Sequence, residues 1–269
     1  TVPENIPENM IFVSARENGN IHALKEKIAA LVHSVPPARE LIADLVSPGD
    51  AVVLVTPIDS AAPKGRLILP QQQTIRSLLD AGCIPVVTRE TELARTLSLL
   101  REPPALVVTD SQAFGMVSRI VPDSVRLTSF SILFARYKGD LRTAVLGAAA
   151  LRRLKDGDTV LISEGCTHHR QCGDIGTEKL PRWVRQYTGR DIRFVFTSGG
   201  EFPENLSPYA LIIHCGACMR EMQSRLRRAA EQCIPVTNYG IAIAQIHGIL
   251  DRALRPFSAL HAEWEKQQQ

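Results

Sequence analysis

Gly49-Asp50-Ala51-Val52-Val53-Leu54 reappears in the second half of the chain as Gly157-Asp158-Thr159-Val160-Leu161. In each copy a Gly-Asp turn leads into an apolar run that is too short for a helix and lacks polar alternation. That is the pattern of a strand buried on both faces. Around the first copy the order is strand, loop, helix, strand, helix, strand. Ala51 to Thr56 is β-branched, Thr74 to Asp80 has helical spacing, Ile84 to Val87 follows Gly82, Thr91 to Leu100 is helical, and Ala105 to Thr109 is a strand again. Two further echoes join the halves. Cys83-Ile84-Pro85-Val86 matches Cys233-Ile234-Pro235-Val236, and Pro104-Ala105-Leu106-Val107-Val108 matches Pro208-Tyr209-Ala210-Leu211-Ile212-Ile213. The fold class is therefore α/β, with two related parallel-sheet, Rossmann-like modules. Phe114 to Leu127 reads as a linker between them, and the alanine-rich Leu141 to Leu154 as a helix opening the second module.

Sulfur and imidazole are placed by this scheme. Cys166-Thr167-His168 follows the strand Thr159 to Ile162, and His214-Cys215-Gly216-Ala217-Cys218 follows the strand Ala210 to Ile213. Two strand carboxyl ends thus bring donors to one rim, where open parallel sheets bind ligands. The C-x-x-C spacing lets one turn aim two sulfurs at a single centre. A helix from Met219 to Gln232 starts beside Cys218, and its positive end favours thiolate and an anionic group. Spacing alone leaves a 4Fe-4S cube held at three corners, a Cys3His zinc site, or a redox pair or buried thiols. Extended backbone puts His168 on the same face as Cys166 and turns His214 away from Cys215. As a fourth partner this favours His168, with His214, Glu164, Asp174 and water as alternatives. Arg170, Lys179 and Arg220 are placed to offset an anionic cluster, and the loop from His169 to Leu180, with Gly173 and Gly176, is flexible enough to fold over it. Cys172 is a loop thiol that could ligate in place of another. Cys83 and Cys233 read as packed, inert thiols, and His22, His33, His247 and His261 as isolated groups.

Composition narrows the function classes. In 269 residues, 45% are hydrophobic and 22% charged, which suits two ordinary domains, and no apolar stretch is long enough to span a membrane. The formal charge of +3 is too small to argue for nucleic acid, so the basic run Arg220, Arg225, Arg227 and Arg228 reads as a solvated helix face. Six cysteines without a leader suit a reducing cytoplasm rather than a disulfide scaffold. The chain opens at Thr1 and reads as part of a longer one. Ile11 to Arg16, then Gly19, Ile21, Leu24 and Ile28, read as a strand, a Ser-Ala loop and an amphipathic helix, like the tail of a Ras-like GTPase domain. No G-x-x-x-x-G-K-[ST] is present, and Pro63-Lys64-Gly65-Arg66 cannot replace it, so GTP hydrolysis is not expected. No dinucleotide fingerprint supports a redox enzyme.

Taken together, these segments resemble the HydF family of FeFe-hydrogenase maturation proteins, which join a GTPase, a dimerisation and an iron–sulfur domain. The resemblance rests on Cys166-Thr167-His168-His169, on His214-Cys215-x-x-Cys218, on Pro57-Ile58-Asp59 with the run Ala62 to Gln71, and on Pro181-Arg182-Trp183. It implies a GTPase remnant over residues 1–33, a dimerisation domain over 34–122 and a cluster-binding domain over 123–269. It also implies a 4Fe-4S cluster on Cys166, Cys215 and Cys218, with His168 or His214 at or near the fourth iron. By the same resemblance the chain is a cytoplasmic homodimeric scaffold. It takes a diiron precursor bearing CO, cyanide and a dithiolate bridge from two radical-SAM maturases and delivers it to apo FeFe-hydrogenase. GTP and Mg belong only to the full-length family member. The competing expectation is a zinc-stabilised interaction module, whose metal is colourless and whose removal unfolds the second domain.

Overall fold

The computed structural model describes residues 10–32, 40–58, 67–165, 174–215 and 219–268. Residues up to Arg39 form one unit and Glu40–Gln269 another. In the first unit, helix α1 (Ile21–Val32) follows a turn closed by a two-way backbone bridge between Ser14 and Gly19. Asn18 and Asn20 take left-handed backbone there (φ 55° and 57°), and Asn20 Nδ2 donates to the Phe12 carbonyl at 3.0 Å. The strand expected at Ile11 to Arg16 is not formed beyond that bridge, because a strand needs a neighbour to take its backbone bonds.

The second unit carries both modules. β1 (Ala51–Val55), α2 (Leu69–Asp80), β2 (Ile84–Thr88), α3 (Leu93–Leu99), β3 (Leu106–Thr109), α4 (Phe114–Ile120) and β4 (Leu127–Ser129) build a parallel sheet of order β2-β1-β3-β4. After α5 (Phe130–Lys138) and α6 (Leu141–Ala148), the elements β5 (Thr159–Ser163), α7 (Leu180–Thr188), β6 (Arg193–Thr197), β7 (Leu211–His214), α8 (Met219–Glu231) and β8 (Val236–Asn238) repeat the scheme as β6-β5-β7-β8, again all parallel. Helices α9 (Tyr239–Ile246), α10 (Leu250–Leu254) and α11 (Ser258–Gln268) finish the chain. Among the described residues no helix is long and apolar enough to cross a membrane.

The repeat seen in sequence holds to the level of single bonds. Ser47 N–H donates to Asp50 Oδ2 at 2.8 Å, and Lys155 N–H to Asp158 Oδ2 at 2.8 Å, so the same Asp-closed turn starts each central strand. Ser129 and Asn238 cap α5 and α9 by accepting from Ile132 and Ile241 N–H. The Cys-Ile-Pro-Val echo, however, is out of register. Cys83 precedes β2, beside the central strand, whereas Cys233 precedes β8, on the opposite flank. Nor is the stretch from Phe114 to Leu127 a linker: it holds α4 and enters β4, with Phe114, Val117, Val121 and Leu127 in the core.

The two sheets share their packing. Ile241 and Ala244 of α9 enter the first sheet's core, while Ala242 and Ile243 enter the second's. Leu250, Leu254, Phe257 and Trp264 return the chain's last helices to the first core. Helices α5 and α9 cross at Ser131 and Gly240, where a Cβ on Gly240 would come 2.1 Å from the Ser131 Cβ. Close approach, not flexibility, requires glycine there. The carboxyl ends of both sheets consequently open onto common ground.

Candidate metal centre and cavity

Parallel pairing of β5 with β7 sets Ser163 beside His214, so residues 164–165 and 215 emerge together at the rim. Cys215 N–H donates to the Ser163 carbonyl at 3.1 Å, and Gly165 N–H donates to the Cys215 sulfur at 3.1 Å. Cys215 is half-buried and its sulfur is thus already engaged by a backbone donor, as sulfurs of iron–sulfur sites are. Cys166 follows Gly165 directly in the chain, and Cys218 directly precedes α8. Cys166, His168, Cys172, Arg170 and Cys218 themselves lie outside the described residues, as does the side chain of Arg220.

His214 is 2% exposed, and its Nε2 stands 3.2 Å from Arg225 Nη1. Burial first and the guanidinium second hold the imidazole down at about 4, so it is neutral and accepts from Arg225. Glu164 is buried as well and accepts from the Tyr239 hydroxyl at 3.3 Å. Burial, then the charges of Glu164 and Cys215, push the Tyr239 phenol far up and keep it a donor. Asp174 caps the π-helical turn Ile175–Lys179, accepting from Thr177 N–H at 2.8 Å and from its hydroxyl at 2.9 Å. Gly176 in that turn serves close approach rather than the expected flexibility, since a Cβ would lie 2.3 Å from the Tyr239 hydroxyl and 2.8 Å from Glu164 Oε1. Lys179 reaches the first module, donating to Gln112 Oε1 at 3.3 Å.

Cys215 lines a cavity of about 350 Å³ between the two modules. Ile68, Leu69, Phe130, Phe134 and Met222 give it an apolar wall, and Asp110, Ser131, Lys138, Asn238 and Tyr239 its polar groups. Lys138 Nζ sits 4.9 Å above the Phe134 ring, a cation–aromatic contact that holds the ammonium at the cavity. The size and mix suit a small molecule with a few oriented polar contacts.

Comparison with protein-family models matches residues 41–139 to the hydrogen maturase F dimerization domain and residues 142–256 to the hydrogen maturase F tetramerization domain. The chain belongs to the HydF family. Its place is in hydrogenase maturation, and both matched HydF domains are named for self-association. No curated protein matches the chain. The donor chemistry fits what this family implies. A half-buried sulfur that accepts a backbone N–H, at a rim to which two more thiol-bearing segments lead, suits a soft, anionic metal group.

Sequence reasoning missed two features. The cavity was invisible because its walls come from α2, α5 and α8 and from the ends of β3, β7 and β8, far apart in the chain. The solvated face expected for Arg220 to Arg228 is wrong for Arg225, which is 6% exposed. Its signal was present in the helix periodicity. Met222, Leu226 and Ala229 mark the inward stripe, and Arg225 falls on it. Cys233, expected to be packed, is exposed with left-handed backbone (φ 56°), whereas Cys83 is 6% exposed in the first core.

Proposed function

We propose that this HydF-family chain is a scaffold and carrier, holding a 4Fe-4S cluster on Cys166, Cys215 and Cys218 and receiving a diiron precursor as its cargo. When bound, such a cluster supplies an anionic iron–sulfur surface with one exchangeable coordination position. The observation that carries the reading is Cys215, whose sulfur accepts the Gly165 N–H and which is one of the residues lining the cavity between the modules. The three thiols hold the group, with His168 or His214 at or near the fourth position. The cavity gives the cargo an apolar wall, and the Lys138 ammonium attracts its negative charge. The cargo comes from radical-SAM maturases and passes to apo FeFe-hydrogenase in the cytoplasm. The chain works as a homodimer through the first module, whose edge strand β2 leaves Ile84 and Val87 exposed at 56% and 44%.

Anaerobic reconstitution with ferrous iron and sulfide tests the reading. The expected result is about four irons per chain with sulfur-to-iron absorption. Cys166→Ser, Cys215→Ser and Cys218→Ser should each lose most of that iron, while Cys83→Ser and Cys233→Ser keep it. Stoichiometric zinc and a colourless protein under the same conditions would instead establish the zinc-stabilised module.

A further inference from the structure

One side chain ties together every segment that leads to a proposed thiol ligand. Arg225 Nη1 donates to Ser163 Oγ at 2.8 Å and to the Glu164 carbonyl at 3.1 Å, and lies 3.2 Å from His214 Nε2. Its Nη2 donates to the Gly199 carbonyl, and the Phe202 ring covers the guanidinium at 5.2 Å. Ser163 Oγ in turn accepts from Thr197 Oγ1 at 3.0 Å, extending the network to β6. Glu164 stands two residues before Cys166, His214 immediately before Cys215, and Arg225 itself on the helix that begins after Cys218. The guanidinium therefore joins α8 to the ends of β5 and β7, beside the residues from which the chain runs on to Cys166 and Cys215.

We infer that Arg225 is the positioning residue of the cluster site, fixing the spacing of the three cysteine-bearing segments and setting a permanent positive charge beside the anionic group they hold. The inference rests on the cluster reading given under Proposed function. Arginine is required by the geometry. Its planar fork meets acceptors in two directions at once, toward Ser163, Glu164 and His214 through one nitrogen and toward Gly199 through the other. A lysine ammonium is a single point and cannot span both sides. The charge also has a direct consequence: guanidinium stays protonated at any working pH, so it stabilises added electrons on the group by position alone.

The test compares the full chain with Arg225→Lys and Arg225→Gln after anaerobic reconstitution with ferrous iron and sulfide. Circular dichroism and a thermal melt establish folding first. Expected for Arg225→Gln is iron retention against a chelator weakened by about tenfold to a hundredfold, the range for groups that orient metal ligands, with a lower midpoint potential in a redox titration followed by EPR. Arg225→Lys keeps the charge and serves if the glutamine variant does not fold. It should retain iron less well than wild type and show an altered EPR signal at an intermediate potential. Wild-type retention, potential and EPR in a folded Arg225→Lys or Arg225→Gln overturn the inference. If the wild-type chain takes up no iron, the cluster reading fails on its own. Positioning is then read from the alkylation rate of Cys215 in the metal-free chain. A severalfold faster rate in the variants supports it, and an unchanged rate overturns it.

Discussion

Gly147→Ala should cost this chain stability out of proportion to one methyl group. A Cβ at position 147 would stand 1.9 Å from the Val236 carbonyl oxygen, 2.5 Å from its carbon and 2.9 Å from its nitrogen. All three are backbone atoms of β8, which is held in register against β7 by the pairing of Ile212 with Val236. No side chain can swing aside, so α6 must lift from the sheet by about 1.5 Å to reach ordinary contact distance. Overpacking of this kind costs about 3 kcal/mol at the upper end, and alanine returns about 1 kcal/mol of helix propensity. The net loss of about 2 kcal/mol corresponds to a fall in melting temperature of about 4–8 °C for a domain of this size. Gly115→Ala is the control. It too is a helical glycine, but nothing lies within 4 Å of its added Cβ, so its melting temperature should hold or rise slightly. Differential scanning calorimetry at one fixed protein concentration, which holds the contribution of self-association constant, reads both. A Gly147→Ala melting temperature at or above wild type would refute the packing argument.

Charge on the first sheet's edge should separate the copies. Ile84→Lys and Val87→Lys place ammonium groups on the exposed strand β2, and sedimentation velocity should show a shift toward smaller species without loss of reconstituted iron. Arg252→Ala should lower stability by about 2 kcal/mol, read by chemical denaturation, because its guanidinium donates to the Ser118, Val121 and Pro122 carbonyls at 2.7, 2.8 and 2.6 Å where α4 ends.

Strands whose neighbours are both present could be read from sequence, because burial on two faces leaves a continuous apolar run. Ala51–Val55 and Leu211–His214 are of that kind, each with at least four successive buried or nearly buried residues. Arg193–Thr197 is not, since β6 is an edge strand with mixed exposure and its Arg193 and Thr197 dilute the apolar signal. The thiol motif was legible as chemistry because its spacing is local. What joins its parts was not. Arg225 looks like surface until the helix stripe is counted, and the contact of Gly165 with Cys215 depends on which strands are neighbours in space. The Cys-Ile-Pro-Val echo misled for the complementary reason: Ile-Pro-Val suits an edge strand on either flank of a sheet, so the resemblance carried no information about topology.

The repeated scheme sets different donor chemistry at matching points of the two rims. The Thr56 N–H donates to the Thr88 carbonyl at 2.9 Å and the Glu164 N–H to the Thr197 carbonyl at 2.9 Å, which puts Thr56 and Glu164 at matching places past β1 and β5. By the same correspondence Thr109 matches His214, and Asp110 matches Cys215. Both residues of the last pair line the cavity, so an aspartate from one module and a cysteine from the other meet at one space. Their chemistry differs in kind, because carboxylate oxygen prefers hard cations and thiolate sulfur soft ones. The Asp110 carboxylate is in addition drawn into its own loop, accepting from Gln112 N–H at 3.0 Å. The Cys215 sulfur accepts instead from Gly165, on the neighbouring strand's end, and so stays at the junction of two segments. A repeated fold thus reaches asymmetric chemistry by changing the first residue past one strand, while the unchanged architecture of the other module supplies the facing wall.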